Sequence, residues 1–401
     1  MKFGVLFNQN NLNIGDDIQA YATARFLPRI DYFVDREHID EFVPDTDEPV
    51  AVIMNAWYMW NKWNWPPSRH ILPLMIGFHY ADHQLAKQTG TPVKYEFLTG
   101  LGGEYLKAYG PVGCRDYFTM EQLQNIGIDA FFTGCVTMTL PSMPERPDKG
   151  TYVCLVDLDP KVEKKMKELL ADSGLEIRVM THNRERDINM SWEERKALVE
   201  DYLTTYQNAR CVVTKRLHCS LPCLALKTPV YLIKGMDNDI RFTPYYDLLY
   251  FVRTNDFLAE DFVCDYDFRN PPANKPDYLK YREDIIRRCE EFVDSVKGLD
   301  GDYTSYVKTD YTDTAIALWR HDLMKKALDD IFIAYRDEQV KTKQLTARVR
   351  AQSSKLNKQE RELAEQEEKY EGRMRELEEL RAYKKEQEKK ILNRLKNKLS
   401  K

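Results

Sequence analysis

Two successive α/β lobes and a long charged helical tail are predicted from three features of the chain. Apolar runs of strand length alternate with helical periodicities, a proline-rich stretch from Pro141 to Gly150 interrupts that rhythm once, and the composition changes abruptly past Tyr335. With 401 residues the chain is too long for one ordinary domain of roughly 100–200 residues. The expected divisions are a first lobe over 1–145, a second lobe with terminal packing helices over 150–335, and a tail over 336–401.

Composition narrows the function classes. Hydrophobic residues make up 43%, enough for a large packed core, although the tail lowers the mean hydropathy to −0.58. A net charge of only −5 argues against a general nucleic-acid binder, which needs clustered Lys and Arg. No stretch reaches the roughly 18–20 apolar residues that cross a bilayer, so at most peripheral membrane contact is expected. The start, MKFGVLFNQNNLNIGDD, reads as a buried strand feeding a polar loop rather than a secretory leader. Eight scattered cysteines without metal-ligand spacing are expected to be reduced core residues of a cytoplasmic protein.

The elements follow in order. Lys2 to Asn8 has the length of a buried strand, and Asp17 to Leu27 carries Ile18, Ala22 and Phe26 at helical spacing. Val50 to Ala56, Leu72 to His79 and Pro92 to Leu98 are further strand candidates, with helices at Ala81 to Gln88 and Thr119 to Asn125. Thr119 and Gln122 have capping-box spacing, and Gly127 closes that helix before a strand at Asp129 to Thr133. After the proline-rich linker, Tyr152 to Leu158 is a strand. Pro160 then opens a helix with Val162, Met166, Leu169 and Leu170 on one face, ended by Gly174. Glu176 to Thr181 (strand), a helix capped by Ser191 and Glu194 and running to about Gln207, Cys211 to Thr214 (strand), His218 to Leu226 (helix) and Val230 to Ile233 (strand) complete the pattern. Such alternation implies parallel sheets with right-handed crossovers. A helix is expected at Tyr278 to Val296. Another starts near Asp313, with Leu318, Leu323, Leu328, Ile331 and Phe332 expected to pack on the body.

In the tail, Val349, Leu356, Leu363, Tyr370, Leu377 and Ile391 occupy a seven-residue ladder whose polar rung is Lys384, with Leu345, Met374, Leu380 and Leu395 as partial companions. The ladder predicts a thin coiled-coil seam, hence a homo-oligomer or a complex with another chain. The competing reading is a solvated single helix held by Glu and Lys pairs four apart.

The candidate chemistry lies at strand ends. Lys215, Arg216, Leu217 and His218 stand between a β-branched strand and a helix, where parallel sheets line a ligand crevice and a helix amino end favours anions. Arginine offers a bidentate fork, and histidine a movable proton. Arg115 in Gly113-Cys114-Arg115-Asp116 has a similar position, but taken alone it reads as a salt-bridged surface corner. The loop Asn10 to Asp17 follows the first strand. It includes Asn13, the permissive Gly15, and Asp16, which can orient a sugar hydroxyl, accept its proton or favour the helix amino end. It lacks the glycine spacing of dinucleotide or Walker loops. Trp57, Trp60, Trp63 and Trp65, followed by Pro66 and Pro67, are read mostly as core, with one or two available as a platform for sugar faces.

Together these segments resemble the polysaccharide pyruvyl transferase family: Asn13-Ile14-Gly15-Asp16 is similar to its Asn-x-Gly-Asp element, Gly113 to Thr119 to its Arg-Asp segment, and Thr214 to Ile233 to its Arg-Leu-His element. The resemblance spans about Lys2 to Tyr250. It implies two Rossmann-like lobes in a GT-B-like arrangement and transfer of pyruvate from phosphoenolpyruvate onto a sugar diol as a ketal, in capsule or cell-surface polysaccharide biosynthesis. It further implies that Arg115 and Arg216 bind the donor and that His218 is a catalytic proton donor or acceptor, beside which Asp16 of the first loop is expected to be catalytic. Lys215, Leu217, Asn13, Gly15, Asn55 and Trp57 would line the substrate site, and no metal or cofactor is implied beyond the donor substrate. The partners would be phosphoenolpyruvate and a saccharide or glycolipid acceptor. Val52 to Trp57 and Gly134-Cys135 depart from the common family pattern and are read as acceptor-side specialisation. The alternatives are a GT-B-type glycosyltransferase using a nucleotide sugar and a non-catalytic scaffold of a polysaccharide assembly complex.

Overall fold

The computed structural model describes residues 1–8, 11–58, 64–80, 98, 100–183, 189–235 and 240–399. The expected helix at Ala81 to Gln88 and most of the strand at Pro92 to Leu98 lie outside the described residues. In the first lobe, β1 (Lys2–Phe7), β2 (Tyr32–Asp35), β3 (Val50–Ile53), β4 (Trp57–Tyr58), β5 (Ile71–Leu74) and β6 (His79–Tyr80) follow in sequence. A parallel sheet forms in the order β2-β1-β3-β5, and β4 pairs with β6. All four residues of β3 are buried, so this central strand is a continuous apolar run rather than an alternating one. β7 (Val112–Cys114) and β8 (Ala130–Phe132) form a further parallel pair. The Gly113 N–H donates to the Met75 carbonyl at 2.8 Å, and the Phe78 N–H to the Gly113 carbonyl at 3.0 Å, tying that pair to the lobe.

The second sheet contains β9 (Tyr152–Val156), β10 (Glu176–Met180), β11 (Cys211–Thr214), β12 (Val230–Lys234) and β13 (Tyr250–Arg253), parallel in the order β10-β9-β11-β12-β13. The helix Pro160–Leu170 buries Val162, Met166 and Leu170, whereas Leu169, expected on that face, is 44% exposed because it falls at the margin of the buried arc. The Ser191–Glu194 capping box forms as expected. The box expected at Thr119 does not: the helix starts at Tyr117, and Asp116 caps it by accepting from the Thr119 N–H.

One apolar cluster runs through both lobes, joining Phe3, Val5 and Ile18 to Tyr152, Leu203, Tyr206 and Leu224. The helix Ile14–Ala24 packs on the helix Trp192–Asn208, with a buried ion pair from Arg195 to Asp17 at 3.2 Å and the Ile14 N–H donating to the His182 carbonyl at 3.0 Å. The chain then returns to the first lobe. The helix Leu279–Val296 packs on β3 and on the 3₁₀ turn Val136–Thr139, and Arg320 donates to the Trp65 carbonyl at 2.9 Å while pairing with Asp40.

Residues Asp313–Leu399 form one helix, and the chain divides into a compact unit ending at Leu328 and a second unit from Asp329. Ile316 is buried, and Trp319 and Leu323 are partly buried against the first lobe. Leu318 and Leu328, expected to pack on the body, are 62% and 64% exposed, while Ile331 and Phe332 fall in the second unit. Among the described residues, no helix is long and apolar enough to cross a membrane.

Candidate active site

Parallel strands leave their carboxyl ends open, and the loops that follow them bring side chains together there. Here the loop after β1, the segment after β3, and the ends of β7, β10, β11 and β12 border one cavity of about 290 Å3, near the small end of the roughly 300–1,000 Å3 range of small-molecule sites. Of the residues singled out in the sequence, Asn13, Asp16, Trp57, Arg115, Lys215, Arg216, Leu217 and His218 line it. Gly15 lies behind His218: a Cβ there would approach the imidazole Nδ1 to 3.1 Å, so the absence of a side chain permits the close packing. Asn55 does not line this cavity. It is buried, accepts from the Val136 N–H at 3.2 Å, and borders a smaller adjoining void with Asp16, Gln19 and Arg36. Gly134 and Cys135, read as acceptor-side positions, also lie away from the cavity, with Cys135 fully buried. Trp65 is core, while Trp60 and Trp63 lie outside the described residues.

The cavity is electropositive. Arg115, Lys215, Arg216, Lys234 and Arg241 line it, against the single carboxylate of Asp16 among the described lining residues. Taken alone Arg115 reads as a surface corner, and the family resemblance makes it a donor-binding residue; its side chain and that of Asp116 are both buried. The reason is local. Pairing of β7 with β8, and the Arg115 N–H donating to the Phe78 carbonyl at 2.9 Å, carry the corner inward. Asp116 then serves the helix cap and His79, whose Nδ1 lies 2.5 Å from its carboxylate. Burial alone would raise the Asp116 pKa, but the His79 contacts and the Thr119 N–H outweigh it and hold it below the usual carboxylate range. Arg115 has no ion pair among the described residues. One Nη donates to the Gln19 Oε1 at 2.9 Å, and its buried Nε has no hydrogen-bond partner among the described residues.

Arg216 sits at the amino end of the helix Leu217–Ala225, which begins without a side-chain cap. Its Nε donates to Asp157 Oδ2 at 2.9 Å, and Asp157 also accepts from the Thr181 hydroxyl and the His182 N–H. Burial would raise the Asp157 carboxyl pKa, but these donors and Arg216 lower it, so it remains an anion that orients the guanidinium. Lys215 pairs with Asp159 at 2.5 Å. His218 is half-buried, with its Nδ1 3.5 Å from Gln19 Nε2, while its Nε2 is shielded from water and has no partner among the described residues. Burial, followed by Arg115, Arg241, His182 and Arg216, lowers its pKa well below 6.5.

Gln19 was missed in the sequence. Arginine only donates and an ionised carboxylate only accepts, so its amide oxygen faces Arg115 and its nitrogen faces Asp16 Oδ1 at 2.9 Å. The available signal was spacing: Gln19 stands three residues after Asp16 and shares its helix face. Asp16 itself also accepts from Asn11 and faces Arg36 at 3.6 Å. His182, Lys234, Arg241 and Phe242 were missed as well. Arg241 lies over the Trp57 ring at 5.1 Å and Lys234 over Phe242 at 4.4 Å.

A buried cation without an ion pair is costly unless a bound anion completes it. Phosphate or sulfate is therefore expected to raise the Tm of the wild-type protein. Arg115→Met should have a higher Tm than wild type in anion-free buffer and lose most of the anion-induced rise, as read by calorimetry.

A family model described as polysaccharide pyruvyl transferase matches residues 13–235. No curated protein sequence matches the chain. Similar solved structures include MnaA of S. aureus in a co-structure with UDP, at 10% identity and a TM-score of 0.40, covering 75% of this chain and 99% of that one. Methanocaldococcus jannaschii UDP-GlcNAc 2-epimerase, in complex with UDP-GlcNAc and UDP, shares 13% identity at a TM-score of 0.37, covering 72% and 99%. Protein KP1_0663 of Klebsiella pneumoniae shares 14% identity at a TM-score of 0.30, covering 63% and 92%.

Proposed function

Since the chain belongs to the polysaccharide pyruvyl transferase family, we propose that it transfers pyruvate from phosphoenolpyruvate to two hydroxyls of a saccharide or glycolipid, forming a ketal for a cell-surface polysaccharide. The observation that carries this reading is the buried Arg115, without an ion pair among the described residues, in the same cavity as Arg216 and His218. Phosphoenolpyruvate carries a carboxylate and a phosphate on three carbons, so two guanidinium groups suit it. Asp157 engages the Nε of Arg216 and leaves its Nη groups for the donor.

The chemistry balances without a cofactor. A proton goes to the methylene carbon of the donor, and the first sugar oxygen bonds to the adjacent carbon. The bond from that carbon to the bridging oxygen breaks, its electron pair leaving with phosphate, and the second hydroxyl closes the ketal. Of the two hydroxyl protons, one replaces the proton given to carbon and the other leaves with phosphate. His218 supplies the first proton through Nε2. Asp16, the carboxylate among the described lining residues, receives the acceptor's proton. The Trp57 ring, stacked beneath Arg241, supplies an apolar face for the sugar. A cytoplasmic location suits the eight free cysteines and a donor made in the cytoplasm.

Before the donor arrives, burial and the surrounding cations keep His218 neutral. A polyanionic donor offsets those cations and raises the proton affinity of the imidazole. Binding near pH 7.5 should therefore be accompanied by proton uptake, absent in His218→Asn, when calorimetric heats are compared in buffers of different ionisation enthalpy. The function itself is tested by incubating the protein with phosphoenolpyruvate and a panel of sugar nucleotides and glycolipids. Phosphate release with a matching mass gain on an acceptor supports it, and absence of donor binding refutes it.

A further inference from the structure

The second unit, from Asp329 onward, is helical and carries an apolar stripe that nothing among its described residues covers. Val349, Leu356, Leu363, Tyr370 and Leu377 are 47–67% exposed and recur every seven residues. If these are a positions, the d positions between them are Gln352, Gln359, Gln366 and Arg373, with apolar Leu345 and Leu380 on either side. Intrahelical pairs such as Lys358 with Glu362 and Glu386 with Lys390 lie off this seam. They support a helix but do not hide its stripe.

We propose that the occupant is a second copy of this chain, joined as a parallel, in-register, two-stranded coiled coil through residues 331–384. The a and d identities select the orientation. In an antiparallel pair each a residue faces a d residue, which would set Leu356 and Leu363 against glutamines with no amide partner. In a parallel, in-register pair Val, Leu and Tyr layers meet their own kind, and each glutamine meets the same glutamine, whose amide both donates and accepts. This self-complementarity points to an identical chain. Flanking charges favour the same alignment: Lys355 faces Glu360 of the second copy and Glu376 faces its Arg381, against one opposed pair, Glu362 with Glu367. Glu338, Arg373 and Lys384 place like charges within the seam and weaken it.

That weakness makes the proposal testable on the full-length protein by sedimentation equilibrium. Wild type is expected to show a concentration-dependent monomer–dimer equilibrium, and Lys384→Leu to tighten dimerisation by about tenfold or more, because a like-charge layer becomes an apolar one. Leu356→Asp should leave a monomer whose body melts as wild type does. Leu356→Cys should form a disulfide-linked dimer on oxidation, whereas wild type and Ser354→Cys, facing away from the seam, should not. A monomer at every concentration even with Lys384→Leu, a trimeric mass, or failure of Leu356→Cys to cross-link would overturn the proposal. These readouts do not depend on enzymatic activity.

Discussion

Replacing His218 with alanine is expected to lower kcat by about 10²- to 10⁴-fold, the usual contribution of a positioned acid or base, with donor affinity changed by only a few fold. The imidazole has one nitrogen facing Gln19 and the other shielded, without a partner among the described residues, so its loss removes the proton source and leaves the guanidinium groups in place. Steady-state kinetics with varied phosphoenolpyruvate separates the two effects. A His218→Ala protein that turns over normally would remove histidine from the mechanism and favour a scaffold. The opposite split, weak donor binding with unchanged turnover, would make His218 a binding residue.

Arg216→Ala should show the converse pattern. A hydrogen bond to a charged group contributes about 1.5–3 kcal/mol, so losing one or two of them weakens donor binding by roughly 10- to 100-fold or more. Fold stability should change little, because Arg216 is half-buried and its partner Asp157 retains the Thr181 hydroxyl and the His182 N–H. Arg216→Lys keeps the charge but not the fork, and should recover only part of the affinity. Titration of the donor into each variant measures this directly.

Much of this was legible in the sequence, for identifiable reasons. Strands such as Val50–Ile53 and Cys211–Thr214 are short, apolar and bounded by polar loops, and the rule that parallel strands open their carboxyl ends to ligands placed Asn13, Asp16 and Lys215 to His218 in advance. Arg115 could be located on its βα corner but not judged buried, because its burial comes from pairing between β7 and β8 and from contact with Phe78, which are long-range. Gln19 carries no charge and belongs to no motif, so beyond its spacing from Asp16 its role becomes visible when Arg115 and Asp16 are brought near each other. Arg241 and Phe242 come from text without a clear period, whereas Lys234, next after the strand read at Val230 to Ile233, was within reach of the same strand-end rule. Asn55 enters the expected site through the family resemblance, yet its amide oxygen accepts from the Val136 N–H. In the tail, the seven-residue period was readable, while the exposure of Leu318 and Leu328 before it was not, because periodicity specifies a stripe without specifying what covers it.

The most direct measurement is calorimetric titration of phosphoenolpyruvate into the full-length protein, wild type beside Arg115→Met and Arg216→Ala. Saturable binding at one site per chain, weakened in both variants, is the predicted result. Wild type that binds no phosphoenolpyruvate, or binds it equally well without either arginine, would contradict the assignment of this cavity to the donor.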